Sequence, residues 1–175
     1  MSKTDESNLR GFPWGKVFKA NLLENIRFPE GYWFEDTICS YLLFPLSDIK
    51  VTIEDIVYRY RKNSQGITNT SRGNYKVIDT LYVTESLIKD ARDFDFFDTD
   101  RFYEKQFDQM RINFSRISTL NNSKINESCF VIYCDIFRKY FSNKNLRSNN
   151  YKIKEIEYAL RNNNYALYNA IVYLL

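Results

Sequence analysis

The sequence predicts an α+β chain that is mostly helical, with a small mixed α/β segment followed by a bundle of four to five helices. Two periodicities and one break carry that expectation. Before residue 74 the chain carries short alternating runs, as in Lys16-Val17-Phe18-Lys19. In Ile56–Arg61, Val57, Arg59 and Arg61 fall on one side and Tyr58 and Tyr60 on the other, the two-residue period of a strand. From Asn74 onward apolar residues recur every three or four positions, the period of one helix face. Between them, 63–73 is polar and rich in Gly, Ser and Thr, and reads as a loop.

In order, residues 1–10 are a polar, loosely ordered lead-in, 11–73 the mixed segment and 74–175 the helical region. Gly11-Phe12-Pro13 sets a turn, and 20–25 reads as a short helix. Phe28-Pro29-Glu30-Gly31 has the composition of a second turn. Glu35 or Asp36 then opens a helix, with Ile38, Tyr41 and Leu42 at helical spacing and Pro45 ending it. Extended segments follow at 49–53 and 56–61. In the helical region Val77, Leu81 and Ile88 form one stripe. Phe102, Tyr103, Phe107, Met110, Phe114 and Ile117 form another, after Asp98-Thr99-Asp100 as a cap. A third helix spans 131–141, and Ile153, Ile156, Ala159 and Leu160 mark a fourth. Asn162-Asn163-Asn164 interrupts before a last short helix through Leu167, Ala170, Ile171 and Leu174.

Composition narrows the chemistry. The chain of 175 residues is 44% hydrophobic, enough for a packed core, and 17% aromatic, with 14 Tyr and 14 Phe. The aromatic stripes read as core rather than as a cofactor box. There is no histidine, which removes histidine acid–base chemistry and histidine metal sites together. Cys39, Cys129 and Cys134 form no Cys-x-x-Cys pair and suggest neither a disulfide framework nor a zinc site, in keeping with a reducing cytoplasm. The polar start reads as no signal peptide, and no apolar run is long enough to span a bilayer. A net charge of +3 does not call for nucleic acid as a partner.

The chemistry-bearing residues cluster in 11–64. Trp14-Gly15-Lys16 comes first, then Phe28-Pro29-Glu30-Gly31, then Trp33-Phe34 and the adjacent carboxylates Glu35-Asp36 before Thr37. Tyr58-Arg59-Tyr60-Arg61 and Ser64 close the set. Taken singly, Glu35-Asp36 reads as a helix cap, Trp14 as a half-buried anchor and Arg59/Arg61 as a solvated strand face. In this order and spacing, the set resembles the C-terminal, acceptor-side half of family 2 glycosyltransferases. These are bacterial inverting enzymes of the GT-A fold, typical of capsule, exopolysaccharide and teichoic-acid assembly. The resemblance covers about a third of the chain.

The resemblance implies a part of an enzyme that moves a sugar from a nucleotide-sugar to a glycan or lipid-linked acceptor. Asp36 would accept the proton of the attacking hydroxyl, with Glu35 supporting it. Arg61 and Ser64 would hold the leaving diphosphate. Trp14, Lys16, Trp33 and Phe34 would line the acceptor groove. The nucleotide-binding half, with its Asp-x-Asp motif, has no counterpart here, so a divalent Mg or Mn ion is expected only with that half and the chain alone is expected to be inactive. Asp93-Phe94-Asp95 and Asp98-Thr99-Asp100 have the Asp-x-Asp spelling but follow the Glu-Asp pair, so they are not assigned a metal. Expected partners are the missing half or a second copy, with an apolar patch near Trp14 and Ile38, and peripheral contact with the inner face of the membrane. A non-enzymatic helical interaction or membrane-docking module is the alternative.

Overall fold

The computed structural model describes residues 2–3, 9–144 and 148–173. Several of its helices begin where a side chain can take up a free backbone N–H. Thr99 accepts from the Phe102 N–H, Asn122 from Ile125 and Asn150 from Lys152, and these caps start α2 (Asp100–Ser118), α3 (Ser123–Tyr140) and α4 (Tyr151–Arg161). They follow α1 (Asp79–Ala91) and precede α5 (Tyr165–Tyr173). Asn121 and Asn163 take left-handed backbone (φ 52° and 51°) in the turns that follow α2 and α4. Asn164 then accepts from the Leu167 N–H at 3.0 Å and starts α5, so the Asn triplet is both a stop and a start.

The aromatic stripes meet in the middle of the bundle. Tyr103 and Phe107 lie edge to face at 4.5 Å, and Phe141 sits 5.5 Å from Tyr103 and 5.7 Å from Phe107. Phe102 and Phe137 extend the cluster. Such pairs add about 0.5–1.5 kcal/mol each beyond the area they bury. The high aromatic content is therefore spent largely on packing.

The bundle's core continues into the first segment. A π-helical turn, Cys39–Leu43, runs into a short α-helical turn, Phe44–Leu46. Pro45 has no N–H, and its ring would meet the Tyr41 carbonyl one regular turn back; the widened turn relieves that contact. Ile38, Leu42, Leu43 and Phe44 are buried in the same cluster as Leu87, Phe107 and Leu160, so one core crosses the 73/74 boundary. Gly11 packs so closely on this turn that a Cβ there would stand 2.5 Å from the Ser40 hydroxyl.

The mostly helical expectation holds, but the mixed α/β segment is not supported. Among the described residues the strands are β1 (Ser2–Lys3) and β2 (Val51–Thr52), paired antiparallel with Ser2 opposite Thr52. The polar lead-in thus supplies one strand of that pair. Residues 16–19 and 56–61 join no ladder. A strand needs a neighbour for its hydrogen bonds, and no described element offers these runs one.

Candidate functional site

The loop 31–36 is held in place by the bundle. Gly31 has φ 81°, and Phe34, unusually for a bulky residue, has φ 67°. The Trp33 N–H donates to the Asp79 carboxylate at 2.9 Å, and the Lys76 ammonium donates to the Gly31 carbonyl at 2.9 Å. Lys76 also pairs with Asp79 at 3.2 Å. Tyr32 stacks on Tyr82 of α1 at 4.0 Å, and the Arg116 guanidinium of α2 lies 4.2 Å from the Phe34 ring centre. These contacts over-determine the strained Phe34 backbone, which in turn fixes where Glu35 and Asp36 point.

Asp36 is half-buried in the turn that leads into the 39–46 helical turns, with the Cys39 N–H bonded to its carbonyl at 2.9 Å. Burial raises its carboxyl above the ordinary range, the Glu35 charge adds to this, and Arg116 opposes it. The cation acting on Asp36 is therefore Arg116, not Arg61. Arg116 is itself tied down, donating to the Asn113 Oδ1 at 3.2 Å. A buried polar chain continues from there. The Tyr41 hydroxyl donates to Gln109 Oε1, Gln109 Nε2 to Asn113 Oδ1, and Asn113 Nδ2 to the Thr84 hydroxyl, each at 2.8 Å.

Lys16 stands nearby, half-buried, its ammonium 5.8 Å from the Phe12 ring and 5.9 Å from Phe44. Burial lowers its proton affinity. Burial also pushes the Cys39 thiol up to about 11, with Asp36 adding to the effect and Lys16 opposing it, so Cys39 is no nucleophile at neutral pH. Trp33 and Phe34 are half-buried on the clamped loop.

Trp14, expected to offer a face to a sugar, is instead occupied by its own chain. Phe12 stacks on it at 4.6 Å and Tyr60 at 5.5 Å, with Tyr58 tilted at 6.4 Å. Arg61 and Ser64 lie on an exposed strap beyond Thr52. An open groove of about 860 Å³ has walls that include Phe12, Lys16, Phe18, Phe44, Ile53 and Val57. Neither Asp36 nor Arg61 lines it, so the expected pairing of a base with a cationic grip is not assembled within these residues. Ile38, expected at an exposed patch, is core.

Sequence reasoning passed over Arg116 and its polar chain. The signal was present: Gln106, Gln109, Asn113 and Arg116 follow one another at helical spacing beside the apolar stripe of α2. Of the Asp-x-Asp look-alikes, Asp98 pairs with Lys144, while Asp93 and Asp95 lie in the turns between α1 and α2. Among the described residues no group of three or more Cys, Asp or Glu is placed to hold a metal ion. Nor is any of their helices long and apolar enough to cross a membrane. The chain matches no protein-family model, no curated protein and no solved structure.

Proposed function

We propose that the chain is the acceptor-side part of an inverting glycosyltransferase, completed by a nucleotide-sugar-binding half. The observation that carries the reading is the Glu35-Asp36 pair. It sits at the start of a helical turn, on a loop clamped by Asp79, Lys76 and Arg116, with Asp36 half-buried and its proton affinity raised. A carboxylate of raised pKa on a rigid support suits the task of taking a proton from an acceptor hydroxyl. Lys16 and Trp33 stand as acceptor-side contacts. Arg61 and Ser64 lie on the uncovered strap, so in this reading they meet the diphosphate only when the donor half docks and brings its divalent metal ion.

The test joins this chain to the nucleotide-sugar-binding half of a family 2 enzyme and measures sugar transfer and nucleotide-sugar hydrolysis. Asp36→Asn should lower turnover by about 10²- to 10⁴-fold with the fold intact. Unchanged turnover in that variant would remove Asp36 as the base. The exposed strap favours a second reading, a non-enzymatic docking module. A joined protein that neither transfers nor hydrolyses would leave that reading standing.

A further inference from the structure

The strap leaves both side chains and backbone uncovered. All residues from Val51 to Gln65 are exposed. From Glu54 to Lys62 no backbone group is hydrogen-bonded among the described residues. Yet Ile56-Val57-Tyr58-Arg59-Tyr60 is rich in β-branched and aromatic residues, the composition of a strand. Its geometry fits one: Tyr58 and Tyr60, two positions apart, both reach Trp14, as the period of an extended chain requires. Ile56 is 76% exposed and Val57 62%, and nearby Val17 is 99% exposed. An extended run with free backbone groups and uncovered apolar side chains is a template for another strand.

We propose that the strap pairs antiparallel with the same strap of a second copy of this chain, about a two-fold axis at Tyr58. The charges select that occupant. Pairing centred on Tyr58 sets Asp55 opposite the second copy's Arg61 at both ends. Ile56 then faces Tyr60, Val57 faces Arg59, and the two Tyr58 side chains meet at the axis. Both ends therefore gain an ion pair, and the middle gains apolar and aromatic cross-strand contacts. Parallel, in-register pairing would place Arg59 and Arg61 against themselves; the register centred on Tyr58 also sets Glu54 opposite Lys62, two ion pairs at each end, where a slip of one residue either way keeps one. The two-fold contact is self-complementary, the same segment facing itself on both copies. It also covers an apolar edge that the chain otherwise leaves in water. The same face is the one a donor half would cover, so the dimer is the state of the chain on its own. The inference does not depend on the transferase reading.

The experiment is sedimentation velocity on the full chain from micromolar to millimolar concentration. A reversible monomer–dimer equilibrium is expected. Asp55→Arg and Arg61→Asp should each weaken it by about tenfold or more, because each sets like charges opposite one another at both ends. The double swap, Asp55→Arg with Arg61→Asp, should restore it. Tyr58→Cys should give a disulfide-linked dimer under mild oxidation. Cys39, Cys129 and Cys134 are buried and should not compete. A chain that stays monomeric at millimolar concentration would overturn the proposal. So would a dimer indifferent to the charge variants, or a swap that fails to restore it.

Discussion

At the scale of single residues, Asp36 is where charge and burial conflict. Its folded-state carboxyl binds its proton more tightly than in an unfolded chain, so the fold favours the neutral form. Stability contributed by that proton is present at low pH. It is lost as pH rises from the ordinary carboxylate value through the raised one. Asp36→Asn should therefore be more stable than the parent at neutral pH, and the difference should shrink as pH falls through the raised value and vanish below the ordinary carboxylate one. Denaturant unfolding across pH reads this directly. Arg116→Gln removes the opposing cation and should raise the Asp36 carboxyl further, followed by NMR titration of that side chain. Arg116 was not legible as its partner, because 80 positions separate them and a cation in the last turn of a helix has an ordinary local explanation.

At the scale of elements, α2 carries an apolar stripe and a polar one side by side. The polar stripe is satisfied at Gln109 and Asn113 but not at Gln106, whose amide nitrogen and oxygen are both buried without a hydrogen-bond partner among the described residues. The two sites should respond oppositely. Tyr41→Phe leaves Gln109 Oε1 without its donor and should cost about 1–2 kcal/mol. Gln106→Met removes a burdened polar group at similar volume and should gain about 1 kcal/mol. Equilibrium unfolding of both variants separates a paired from an unpaired buried amide. The cap at Thr99, the interruption at the Asn triplet and the helix positions were legible from spacing and residue type, except that the third helix starts at Ser123, eight residues before the expected 131. The extended runs at 16–19 and 56–61 were legible only as pattern, since the partner strand a ladder requires is not among the described elements.

For the molecule as a whole, the boundary drawn at 73/74 runs through a single core. Leu42, Leu43 and Phe44 from the first segment share it with Phe107, Phe137 and Leu160 from the bundle. Heating should therefore unfold the chain in one transition, with secondary structure and aromatic packing lost together by far- and near-ultraviolet circular dichroism. Removing 11–73 should strip that cooperativity from the helices that remain, because the 38–44 side chains fill space the helices do not close themselves.

Local chemistry wrote the helices into this chain. Their hydrogen bonds close within four residues, their caps sit within three of the groups they satisfy, and an apolar stripe shows in any window of two turns. The placement of Glu35-Asp36 at a helix start was readable for the same reason. Only the folded chain decided the surroundings of that pair and of Trp14: Arg116 in place of Arg61, Asp79 and Lys76 beneath the loop, and Tyr60 stacked on Trp14. Those are meetings between segments far apart in sequence, set by how one core packs, and no local pattern encodes them.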